Sequence, residues 1–121
     1  MAPLQTGVDL IEVARLQQAI DRHGERFLKR VFTAAELEQV GEDVPSLAAR
    51  WAAKEAVSKA LRTGIGDVSW QEIEVLRGKS NEPILNLNGE AQRLAGEQGL
   101  ENWSVSLSHT QDYAVAMVVA T

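Results

Sequence analysis

At 121 residues and a net charge of −5, the chain has the size of one domain with a modest core. Its acidity argues against general nucleic-acid binding. It has no cysteine, which excludes disulfides and thiolate metal sites and fits a cytoplasmic protein. No apolar run approaches the roughly 20 residues of a membrane span, and Met1 to Thr6 lacks the basic and apolar regions of a signal peptide.

Leu4 to Val13 reads as a strand running into a helix, with Val8, Leu10 and Val13 inward and Asp9 near the strand's end. A carboxylate inside an apolar strand is disfavoured by propensity and costly when buried without a partner. Asp9 therefore calls for a cation, either a metal or Lys59. Ala14 to Ile20 suits a helix, with Arg15 and Arg22 near one side of it, two turns apart. Between residues 15 and 30 stand Arg15, Arg22, Arg26, Lys29 and Arg30, five of the chain's twelve basic residues, against Asp21 and Glu25. A solvated helix face and a docking surface for an acidic partner both fit that surplus. His23 reads as surface.

Gly24 interrupts, and Glu25 to Val31 forms a second short helix. Thr33 and Glu36 have the spacing of a capping box, opening a third helix that runs to about Val40. After a loop from Gly41 to Pro45 comes the longest helix. Ser46 to Arg62 contains no Gly or Pro and is rich in strong helix formers, with Gly64 just beyond. At 3.6 residues per turn Ala49, Ala53, Ala56, Val57 and Ala60 share one face, and Trp51, Glu55, Ser58, Lys59 and Arg62 the other. The alanine face lets the helix lie close against a sheet.

The second half is richer in strands. Gln71 to Leu76 alternates, Gly78 to Glu82 turns, and Pro83 to Leu87 makes a second strand. Gly89 to Gln98 suits a helix. Trp103 to Ser108 alternates again, His109 to Asp112 reads as a hairpin turn, and Tyr113 to Ala120 is apolar enough to be central. Such a strand wants cover on both faces.

Asp9 and Glu55 are hard oxygen ligands, with no histidine or cysteine grouping to suggest zinc. Two carboxylates plus substrate phosphates is how Mg²⁺ is usually held. Lys59, one turn after Glu55, would then reach any phosphates so held. By residue type alone, Glu55 and Lys59 also read as a surface pair worth roughly 0.2–0.5 kcal/mol. Gly64 and Gly66 likewise read as a plain helix exit or as a phosphate-approaching turn.

Four stretches carry a resemblance: Gly7-Val8-Asp9-Leu10-Ile11-Glu12, Phe32-Thr33-Ala34-Ala35-Glu36-Leu37, the run from Arg50 to Ala60 with Trp51, Lys54, Glu55 and Lys59, and Val105-Ser106-Leu107-Ser108-His109-Thr110. In that order they resemble the holo-acyl-carrier-protein synthases, the small 4′-phosphopantetheinyl transferases of fatty-acid synthesis. The resemblance runs from about Gly7 to the C-terminus. It implies an α+β fold, one domain spanning residues 1–121 with an antiparallel sheet packed on the long helix. It also implies Mg²⁺-dependent transfer of 4′-phosphopantetheine from coenzyme A to a serine of an acyl carrier protein. Asp9 and Glu55 would hold the metal, Glu55 would be the candidate base and Lys59 would stabilise the phosphates. Arg50 and His109 would hold the nucleotide, with Gly64 and Thr110 beside it. Arg15, Arg22 and Arg26 would dock the carrier, and the active unit would be a homotrimer with sites between subunits. Two other classes compete: a non-catalytic module that grips an acidic protein with the basic helix, and a metal-dependent phosphohydrolase. The latter lacks the further carboxylates or histidines expected for two metals.

Overall fold

The computed structural model describes residues 3–121; Met1 and Ala2, the start of the stretch read against a signal peptide, lie outside the described residues. Strand β1 (Gln5–Glu12) leads directly into helix α1 (Val13–His23), followed by α2 (Glu25–Val31), α3 (Ala34–Val40) and the long α4 (Val44–Ala60). A 3-10 turn at Trp70–Glu72 then opens β2 (Ile73–Arg77), which pairs antiparallel with β3 (Pro83–Leu87). Helix α5 (Gly89–Glu97) leads to β4 (Trp103–His109) and β5 (Tyr113–Ala120). The strands form two antiparallel sheets, a three-stranded one in the order β1-β5-β4 and the β2-β3 hairpin. The chain thus has the expected α+β architecture, with β5 central. Among the described residues no helix is long and apolar enough to cross a membrane.

Local chemistry sets the helix ends. Gly24 and Gly41 close α1 and α3 at φ 59° and 64°, the left-handed region that glycine enters without penalty. Thr33 caps α3: its hydroxyl accepts from the Glu36 N–H at 3.1 Å while Glu36 accepts from the Thr33 N–H at 2.8 Å. α4 begins two residues earlier than the sequence pattern indicates, because Pro45 is tolerated in the first turn, where its missing N–H costs nothing. Its exit turns on Arg62, at φ 59°, rather than on Gly64.

The core is α4 lying on the three-stranded sheet. Ala49, Ala52, Ala53, Ala56 and Ala60 are buried, and so are Ala114, Ala116, Val118 and Ala120 of β5. Small residues on both sides bring helix and sheet close. The approach is tightest at Gly7 of β1, where a Cβ would stand 1.9 Å from the Ala56 carbonyl oxygen. Only glycine fits there.

One expectation about faces is overturned and a second needs a small correction. Val8 and Leu10 of β1 do not point inward; they are 57 % and 64 % exposed, while Gly7 and Ile11 are buried and Asp9 sits mid-strand on the helix side. The alternation was right in period but one residue out in phase, because the helix side of β1 carries a glycine and a carboxylate where apolar bulk was assumed. On α4 the expected open face holds except at Ser58: Lys59 and the following Arg62 are exposed and Trp51 and Glu55 half-buried, while Ser58 is buried, as are the polar Arg50 and Lys54.

Candidate active site

The open face of α4 meets the edge of β1. Lys59 Nζ donates to Asp9 Oδ1 at 3.0 Å and to the Val8 carbonyl at 3.0 Å. Glu55, one turn earlier, shares this corner. Burial pushes its carboxyl above the usual glutamate range and the Asp9 charge adds to the push, while the Trp51 indole and Lys59 pull it back. Two carboxylates that oppose each other in a half-buried corner favour a cation.

The raised value has a sign that can be checked. With a chelator present, the folded chain binds the Glu55 proton more tightly than the unfolded chain does. The resulting stabilisation is full below the ordinary glutamate value and is lost as pH rises through the raised folded one. Glu55→Gln should therefore melt higher than the parent near pH 7, and the advantage should vanish by about pH 4. Melting curves across that range test it; an advantage independent of pH would contradict the shift.

On the other flank of α4 a cleft of about 290 Å³ is lined by Ser46, Arg50, Arg77, Asn81, Leu107 and His109 among others. Arg50 is only 4 % exposed. One Nη donates to the Ser46 carbonyl at 3.1 Å, but its buried Nε has no partner. Burial lowers the Arg50 pKa and the Arg77 charge lowers it further, against the pull of Glu36 and Asp43. Among the described residues no carboxylate lines the cleft. Two guanidinium groups and an imidazole around one space make a receptor for an anion.

The candidate residues therefore fall into two groups. Asp9, Glu55 and Lys59 stand at the β1 edge of the sheet, and Arg50 and His109 at the β4 edge. His109 ends β4 rather than sitting within the hairpin turn. Thr110 does not line the cleft; its hydroxyl accepts from the N–H groups of Asp112 and Tyr113 and shapes the turn. Gly64 lies in the turn after α4, where its carbonyl accepts from Asp67 at 3.2 Å. Gly66, at φ 123°, is the glycine whose conformation the turn requires. Arg15 and Arg22 line a groove on α1 with Gln18, His23 and Trp51, whereas Arg26 is exposed on α2 and stands outside that groove.

Sequence reasoning left Arg77 and Lys54 unassigned. Arg77 ends β2, some distance along the chain from its partners in the cleft, so only the tertiary fold joins them. Lys54 is wholly buried; its ammonium donates to Glu36 Oε1 at 2.7 Å, to the Trp70 carbonyl at 3.0 Å and to the Ile73 carbonyl. Glu36 also accepts from the Val75 N–H at 2.8 Å. The capping glutamate of α3 is thereby the counter-ion of α4, a second use that no local spacing signals.

The family model of the 4′-phosphopantetheinyl transferase superfamily matches residues 5–118. The chain belongs to that superfamily. It is 50 % identical over 123 residues to a holo-[acyl-carrier-protein] synthase of Herpetosiphon aurantiacus, covering 96 % of this chain and 97 % of the relative. Among solved structures, the fold matches that of holo-[acyl-carrier-protein] synthase from Helicobacter pylori in complex with coenzyme A, with a TM-score of 0.87 and 29 % identity, covering 96 % and 99 % of the two chains. The synthase from Neisseria meningitidis matches with a TM-score of 0.87 and 34 % identity, covering 97 % of each. The corner at β1 and the cleft at β4 thus stand on a chain with a phosphopantetheinyl transferase fold.

Proposed function

We propose that this chain, acting as one catalytic domain, transfers 4′-phosphopantetheine from coenzyme A to a serine of an apo-acyl carrier protein with the help of Mg²⁺, in the cytoplasm. The observation that carries the proposal is the convergence of Asp9, Glu55 and Lys59, with Lys59 3.0 Å from Asp9 and the Glu55 carboxyl raised by burial and then by the Asp9 charge. The reaction and substrates follow those that define the related holo-[acyl-carrier-protein] synthases, one of them a coenzyme A complex.

Asp9 and Glu55 fit a hard divalent cation. No third His, Cys, Asp or Glu joins them among the described residues, which leaves the remaining ligands to substrate phosphate and water. When bound, Mg²⁺ would neutralise charge on the pyrophosphate. The serine hydroxyl attacks the β-phosphorus, the P–O bond to the departing nucleotide breaks, and 3′,5′-ADP leaves. Glu55, with its raised carboxyl, is the candidate acceptor for the serine proton. Lys59 offsets phosphate charge, and positioning supplies most of the rest. Arg50 and His109 would hold the nucleotide's anionic end, with Arg77 as a third cation in the same cleft; Gly64 and Thr110 shape neighbouring turns. Arg15 and Arg22, with Arg26 beyond them, would dock the acidic carrier. Mass spectrometry of an apo-carrier incubated with the chain, coenzyme A and Mg²⁺ should show the gain of one phosphopantetheine, lost with chelator. In the same assay Arg15→Glu and Arg22→Glu should raise the carrier KM at low salt, less so at high salt, with coenzyme A affinity little changed. No mass gain would reject the activity, and an unchanged carrier KM would reject the docking role.

The working unit in this proposal is a homotrimer with the site shared between neighbours. Two observations support it. The outer face of the three-stranded sheet leaves Val8, Leu10, Tyr113 and Met117 between 49 % and 64 % exposed, an apolar patch of a kind that marks an interface. In addition, the carboxylate corner and the anion cleft lie at opposite edges of one chain's sheet, so one bridging substrate would use the corner of one copy and the cleft of the next. Light scattering should give close to three times 13.2 kDa. Mixing inactive Asp9→Ala and His109→Ala chains under exchange should restore part of the activity. A monomeric mass would reject the trimer, and failure of complementation would place both groups in one chain's site.

A further inference from the structure

The Lys59 ammonium engages two oxygens of β1, Asp9 Oδ1 and the Val8 carbonyl, each at 3.0 Å. The partners differ in freedom. The Asp9 side chain is 19 % exposed on the edge strand β1, while that of Lys59 is 51 % exposed and reaches it from α4 on a flexible stem. Glu55 faces the same corner, so two carboxylates share one ammonium and the corner keeps a net negative charge. Among the described residues Asp9 is the only acid that Lys59 pairs with.

A hard cation at this corner needs the Asp9 carboxylate, the group Lys59 engages. An ammonium offers donors and no lone pair, so it cannot join a metal's ligand set, and two positive charges within a few ångströms of one carboxylate repel. A pyrophosphate offers the ammonium a more charged acceptor than one carboxylate and a neutral carbonyl do. We infer that Lys59 is a placeholder cation: it occupies Asp9 until the phosphates of coenzyme A draw its ammonium away, so that metal and coenzyme A bind cooperatively and the metal alone binds weakly. This rests on the metal and coenzyme A assignments made above. Linkage then requires the reverse effect, each ligand tightening the other by the same factor.

Mn²⁺ is the probe, with free ion counted by electron paramagnetic resonance on the full chain. The parent should bind Mn²⁺ weakly alone and about tenfold or more tightly once coenzyme A is saturating. Lys59→Met keeps the stem and removes the charge. Without coenzyme A it should bind Mn²⁺ about tenfold more tightly than the parent, and coenzyme A should improve it less. Lys59→Gln should behave alike, and adding Asp9→Asn to Lys59→Met should abolish the gain. Melting curves confirm that each variant is folded. If the neutral variants bind Mn²⁺ no more tightly than the parent, while the parent still binds it with coenzyme A present, the placeholder is overturned and the metal assignment stands. If no chain binds Mn²⁺, with or without coenzyme A, both are overturned.

Discussion

Replacing Asp9 or Glu55 with alanine is expected to lower transfer by roughly a thousandfold or more, about 4 kcal/mol of barrier, at saturating Mg²⁺. Each carboxylate stands in the same half-buried corner as Lys59, so losing either removes charge stabilisation where the phosphates would react. The fold should survive both changes. Asp9 leaves behind a half-exposed lysine that water can solvate, and Glu55 leaves behind no unpaired charge. Turnover by mass spectrometry, alongside circular dichroism melts, separates the two effects. Turnover within tenfold of the parent in either variant would remove that residue from the machinery.

Lys54→Met acts on stability instead, by about 3–5 kcal/mol, because it leaves the Glu36 carboxylate fully buried without its cation. Two backbone carbonyls, of Trp70 and Ile73, lose a donor at the same time. For a chain of this length the melting temperature should fall by roughly 10–20 °C. Glu36→Gln added to Lys54→Met removes the stranded charge and should recover a large part of the loss, since a neutral pair avoids most of the desolvation cost. A loss below about 1 kcal/mol in the single variant would mean that water or movement satisfies the carboxylate.

What the sequence disclosed depended on how local the determinant was. The α2 bounds and the Thr33–Glu36 capping box came from signals within a few residues and the central place of β5 from its uniformly apolar run, and the structure has them. The phase of β1 did not, because its outer face is as apolar as a core face and its inner face carries Gly7 and Asp9. Hydrophobic alternation assumes that bulk points inward, and here contact is made by backbone. The burial of two polar residues of α4 was hidden for a related reason. Arg50 and Lys54 are polar, yet each is buried by elements far along the chain, among them β2 for Lys54. Within the candidate site, a cation near Asp9 was foreseeable from the cost of a strand carboxylate, and Lys59 is 3.0 Å away. Arg77 was not, since nothing in its surroundings along the chain marks it as facing Arg50.

The contact at Gly7 bears on how this enzyme family member can change over time. An ordinary Cβ contact needs about 3.4 Å, so any side chain at Gly7 would force the strand away from Ala56 by roughly 1.5 Å. Asp9 rides on that strand, and Glu55 and Lys59 ride on the facing helix. The gauge between these three groups is therefore set main chain against main chain. Mutational drift in the leucines, valines and aromatics of the interior can alter how firmly the molecule holds together while leaving that gauge untouched. Heritable variation in stability and heritable variation in the spacing of this corner are thus assigned to different residues, and the second has almost no room to vary.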